Sequence, residues 1–135
     1  MSEVVEVVLS RVVIQEKDDQ QFIYLKERDG TRSFPIVIGF NEAAEINRKI
    51  RNVESPRPMT HDLITRILGA WDSHITRVII SDLREHTFYA TLVLDVGGDG
   101  EKFVDCRPSD AIALAVQTKA EIFVAAKVFN IVAPE

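Results

Sequence analysis

The sequence predicts an α+β domain: a mixed, largely antiparallel sheet with about three helices packed against it. Runs of β-branched or alternating residues come in two groups of three, over 4–38 and 74–105, and each group leads toward a helix start at an Arg-Pro pair. Short turn signals separate the strands: Arg28-Asp29-Gly30 in the first group, Gly97-Gly98-Asp99-Gly100 in the second.

The totals bound the problem. With 135 residues and a net charge of −5 the chain is read as one domain over 1–135, large enough to bury a core without staples. The single cysteine, Cys106, rules out an intramolecular disulfide, and no apolar run is long enough for a signal sequence or a membrane span. A cytoplasmic location and no membrane partner are expected. Acidic charge argues against a protein that coats nucleic acid, but not against an enzyme whose site uses carboxylates.

The first strand, 4–14, is dense in valine and alternates only partly, which suggests a strand that is central or covered by a partner chain. After the charged turn at 16–19, a second strand at 21–27 puts Phe22 and Tyr24 on one face and Ile23 and Leu25 on the other. Arg28-Asp29-Gly30 turns it onto a third, 33–38. Pro35, lacking an N–H, places that strand at an edge or at a bulge. A helix follows with Asn41 as N-cap and Ile46 and Ile50 on its buried face. A loop with two prolines leads to a second helix starting at Thr60, with Leu63, Ile64, Ile67 and Leu68 at helical spacing, ending near Gly69. Strands at 74–83 and 85–96 bring Ile75, Val78, Ile80, Phe88, Tyr89, Leu92 and Leu94 to the core. His74 and His86 read as ordinary surface residues. The glycine turn at 97–100 lacks the strand-to-helix setting of a phosphate loop. A strand at 101–105 meets a helix starting at Pro108, and 121–126 reads as a final strand, with 128–132 a turn of helix or coil.

Two stretches concentrate polar chemistry. At 105–110 a strand end, a turn and a helix start bring Asp105, Arg107, Ser109 and Asp110 together, and Pro108 suits the first helical turn. The small residues Ala111, Ala113 and Ala115 let this helix pack closely, which fixes its N-terminus. Such a start could bind a phosphate or a metal ion, or could be an ion-paired helix cap. At 57–62, Arg57, His61 and Asp62 open another helix. There an imidazole and a carboxylate could serve as base and metal ligand, or Asp62 could cap the helix. Between 47 and 66 there are five Lys or Arg (Arg48, Lys49, Arg51, Arg57, Arg66) against two acids, the one basic part of the chain. The two helix starts are expected to lie side by side and share one pocket.

The run Arg107-Pro108-Ser109-Asp110-Ala111-Ile112-Ala113-Leu114-Ala115, with Arg57-Pro58-Met59-Thr60-His61-Asp62-Leu63 and Phe34-Pro35-Ile36-Val37-Ile38-Gly39 upstream, resembles the bifunctional nuclease domain family. That family is widespread in bacteria and has plant members described as degrading both DNA and RNA. The resemblance spans nearly the whole chain, from about 4 to 132. Some members carry a further small helical domain, which this chain is not expected to have. The resemblance implies a nuclease acting on DNA and RNA. On that footing Asp62, Asp105 and Asp110 are expected to hold a divalent ion, Mg or Mn, that activates water. Arg57 and Arg107 would neutralise phosphate charge, His61 would move a proton, and Ser109, Arg48, Lys49 and Arg51 would contact the substrate. The alternative is a non-catalytic binding or regulatory module that dimerises and engages a protein or nucleic-acid partner. The apolar first strand predicts a homodimer in either case.

Overall fold

The computed structural model describes residues 3–15, 17 and 19–134; of the charged turn expected at 16–19, Glu16 and Asp18 lie outside these. Seven strands and four helices follow in the order β1 (Val4–Val13), β2 (Gln21–Glu27), β3 (Ser33–Ile38), α1 (Phe40–Ile50), α2 (Thr60–Ala70), β4 (Ser73–Arg84), β5 (Thr87–Val96), β6 (Glu101–Cys106), α3 (Pro108–Thr118), β7 (Glu121–Ala125) and α4 (Ala126–Val132). The fold is α+β, as expected from the sequence. One sheet runs β3-β2-β1-β7-β4-β5-β6, antiparallel throughout except for β4 beside β7. No helix of the described residues is long and apolar enough to cross a membrane.

The order explains several local sequence features. β1 lies between β2 and β7, and its register slips at Ser10. Val7 is buried and Val5 and Leu9 pack on the core, whereas beyond the slip Val12 and Ile14 do so. An extra residue in a strand exchanges the faces of everything that follows, and this is why the alternation is incomplete. Pro35 does lie on an edge strand, where its missing N–H interrupts no ladder bond.

All four helices share one core with a single face of the sheet. The centre is α3, whose residues 111–115 are all buried, and a helix apolar on every side belongs inside. The sheet curls around it. Phe34 on β3 stacks on Phe88 of β5, ring centroids 5.9 Å apart, although four strands separate them in the sheet, and Phe129 of α4 meets Phe34 edge-on at 5.3 Å.

Four expectations are corrected. The stretch 126–132 is a full helix, with Val128 and Phe129 buried, giving four helices rather than three. Helix α1 begins at Phe40 with Gly39 as N-cap, not Asn41; a Cβ at Gly39 would overlap the Glu42 carboxylate, which folds back over it. Ile50 is exposed, because it is the last residue of α1 and the chain turns away at Asn52. On α2 only Ile64 and Leu68 pack inward; Leu63 and Ile67 are about half exposed.

Candidate functional site

The N-terminal ends of α2 and α3 lie side by side, and α1 runs past both. His61 is the only buried residue of α2. Its Nε2 lies 3.0 Å from Asp110 Oδ1 on α3 and its Nδ1 lies 3.4 Å from Glu45 Oε2 on α1. The N-terminal start of α3 is held in place as the alanine run predicts, and Gln117 on the same helix donates to the Thr65 hydroxyl at 2.7 Å. Gln117 Oε1 is buried without a partner among the described residues.

From this imidazole a line of alternating charges extends in both directions. On one side Arg107 donates from Nε and Nη2 to the two oxygens of Asp110, both at 2.9 Å, and reaches Glu42 at 3.7 Å. On the other, Glu45 accepts from Arg48 at 2.7 Å, and Arg48 continues to Asp62 at 3.3 Å. Asp62 is paired with Lys49 and also accepts the Met59 backbone N–H at 2.9 Å, which caps α2. Both readings of this residue hold in part: Asp62 caps its helix and joins the polar network.

Titration follows the geometry. The hydrogen bond to Asp110, then that to Glu45, raises the His61 pKa above its ordinary value against the opposing effect of burial. Asp110 is held well below the usual carboxylate range by the His61 bond and then by Arg107. Burial would raise the Asp62 carboxyl, but the Lys49 bond, the Met59 N–H and the two cations outweigh it, leaving a pKa of about 2. Glu45 is lowered likewise, its burial outweighed by Arg48 and His61. The half-buried Cys106 thiol is pushed up to about 12, chiefly by burial, which makes it unreactive.

A raised histidine pKa adds stability that is complete below the unfolded value of about 6.5 and is lost as pH rises through the folded value. The stability difference between wild type and His61→Gln is therefore expected to be largest near pH 6 and to shrink toward pH 9. Denaturant titrations across that range check it, and a difference that grows with pH would contradict the protonated pairing.

The other expected site residues are divided among neighbouring places. A cleft of about 400 Å³ is lined by Glu42, Glu45, Arg48, His61, Arg107 and Asp110. A second, also about 400 Å³, lies beyond Arg48 and is lined by Lys49, Arg57, Arg66, Asp62 and Gln117. Ser109 is buried and borders a third cleft together with Arg107. Arg51 is exposed and lines none of these. Asp105 stands apart. On β6 it pairs with Thr91 and points to the outer face of the sheet, while its neighbour Cys106 packs on the core, so the strand alternation separates it from Asp110.

Asp62, Asp105 and Asp110 therefore do not form a metal-binding set in this arrangement. Two of them already hold cations of the protein, the third faces elsewhere, and among the described residues no group of three His, Cys, Asp or Glu is arranged to hold a metal ion. Glu42 and Glu45 were missing from the sequence-based site. The signal was present: Glu42, Glu45, Arg48 and Lys49 recur at three- and four-residue spacing on one helix face, which reads equally well as a solvated salt-bridge ladder.

Fold and site together define a small curled-sheet domain whose polar centre is assembled from two helix starts and the flank of a third, with arginines at its rim. The chain belongs to the bifunctional nuclease domain family, whose sequence model matches residues 23–134. An uncharacterized protein of Mycobacterium tuberculosis is 39% identical over 119 residues, covering 88% of this chain and 70% of its own length. Bifunctional nuclease 2 of Oryza sativa subsp. japonica is 30% identical over 112 residues, 81% of this chain and 34% of the rice protein. Bifunctional nuclease 1 of the same subspecies is 27% identical over 103 residues, 74% of this chain and 31% of that protein.

Proposed function

We propose that the protein is a nuclease that binds the phosphodiester backbone of DNA or RNA along the two adjoining clefts and cleaves it beside His61. The observation that carries this reading is His61 itself, a buried imidazole bracketed by two carboxylates and bordered by an arginine. A proton-holding group next to a cation is what departure of an alkoxide from phosphorus requires. Arg107 is the cation able to reach the substrate, since its side chain is 62% exposed although paired. Arg57 and Arg66, exposed and without an ion pair among the described residues, would hold the next phosphates.

In the proposed step water attacks phosphorus and loses its proton to Glu42, the carboxylate in the cleft with the longest cation contact. The bond from phosphorus to the leaving oxygen breaks as that oxygen takes the proton of His61. No step is assigned to a divalent ion, because one bound at Asp62 or Asp110 would have to displace Lys49 or Arg107. A cytoplasmic location fits the single half-buried thiol. A second reading, a non-catalytic binding module, draws on the same ion pairs: each carboxylate of the line is already matched, and such a network also serves simply to join three helices.

Cleavage of single-stranded DNA and RNA by highly purified protein decides between them. His61→Gln and Arg107→Gln are each expected to slow cleavage about 100-fold, with wild-type activity retained in EDTA. Undiminished cleavage by both variants would mark a contaminant and leave the binding module. Cleavage abolished by EDTA would return the carboxylates to a metal.

A further inference from the structure

Helix α2 carries an uncovered apolar ridge. Met59 just before it, Leu63 and Ile67 on it and Trp71 just after it follow at four-residue spacing, and they are 46%, 52%, 51% and 78% exposed. That spacing sets them in one oblique row: Leu63 and Ile67 lie away from His61 and Leu68, which face inward, while at its ends Met59 also borders the cleft of His61 and Trp71 stands toward the Ile64 side. Single exposed apolar residues are ordinary, but a continuous row ending in an exposed tryptophan marks a contact surface. Ala70, exposed and on the same side as the row, adds little bulk beside it, so a second helix can approach there closely.

We propose that this ridge is the interface between two copies of the chain, packed α2 against α2 in antiparallel fashion about a two-fold axis. The row is self-complementary under that operation. Leu63 meets the partner's Ile67, Met59 meets the partner's Trp71, and two ridges of four-residue spacing interdigitate in the commonest mode of helix packing. The two helix dipoles then oppose. Asp72, exposed and without an ion pair among the described residues, falls beside the N-terminal end of the partner's α2, where a carboxylate is favoured. The four side chains offer about 450 Å² per copy, and with their flanks about 600 Å², so the pair buries about 1,200 Å², the lower end of a specific interface. Self-association is independent of whether the site cleaves nucleic acid.

Trp71 is the single tryptophan of the chain and reports the contact directly. Sedimentation velocity between 1 and 100 µM is expected to show a dimer, with tryptophan emission moving to the blue as concentration rises. Leu63→Glu, at an exposed position, is expected to weaken the dimer about 100-fold or more while leaving the circular dichroism and melting temperature of the monomer intact. Asp72→Asn, which suits the left-handed backbone there, is expected to weaken it about threefold. A monomeric wild type at 100 µM overturns the proposal. So does a dimer that survives Leu63→Glu but is split by Phe103→Glu, which would place the contact on the β6 edge.

Discussion

Asp110→Ala is expected to lower stability by about 2–3 kcal/mol, a fall in melting temperature of roughly 10 °C for a domain of this size. The carboxylate accepts from the His61 ring and from both arms of Arg107, and it sits in the first turn of the most buried helix. Its removal leaves a buried imidazole with Glu45 alone, at 3.4 Å, so the folded-state preference for the imidazolium falls with it. Because its pKa in the folded protein is depressed, this contribution is present above the ordinary carboxylate pKa and disappears as pH falls. Wild type and variant should converge in acid. Asp105→Asn is the internal comparison: exposed and without a side-chain hydrogen bond or ion pair among the described residues, it is expected to stay within about 0.5 kcal/mol of wild type. A variant at 105 that melts lower than the one at 110 would contradict the placement of both.

Phe34→Ala is expected to cost about 3–5 kcal/mol and to leave little folded protein at 37 °C. Phe34 is 2% exposed and touches rings from two elements, Phe88 on β5 and Phe129 on α4. The contact with β5 crosses the mouth of the curled sheet, so the loss includes the closure of the curl as well as the transfer of one side chain. Chemical denaturation with both circular dichroism and near-ultraviolet absorption would check it. A loss below 1 kcal/mol would mean that the curl is maintained by the backbone ladder alone.

Much of the architecture was legible because it rests on local chemistry. Pro35 announced an edge, Pro108 a helix start, and the alanines of α3 a helix close to its neighbours. What escaped depends on longer-range facts. α4 carries Val128, Phe129, Ile131 and Val132, side chains that favour strands, and is helical only because Val128 and Phe129 find the core. The slip at Ser10 shows in the sequence only as blurred alternation. In the site, His61, Asp62, Arg107 and Asp110 were recognisable from two helix starts. Glu45 was not, since an acid on a helix reads as solvated until the imidazole across the groove is known. Asp105 was assigned by its nearness in sequence to Asp110, yet the two-residue period of a strand turns it away.

The place of β7 bears on how the domain assembles. It lies between β1 and β4, antiparallel to the one and parallel to the other, and among the described residues it is the only strand whose ladder bonds join both groups of three. During synthesis β1–β3 and β4–β6 are therefore two separate meanders, each with an unpaired edge at what will become the middle of the sheet. Their ladders join into one sheet only when residues 121–125 leave the ribosome, and loop closure over more than a hundred residues, from Val4 to Ala125, then has to be met. Folding of this kind is dominated by distant pairing, so it is slow, and the half-made chain presents two open strand edges to its neighbours until the central position is filled.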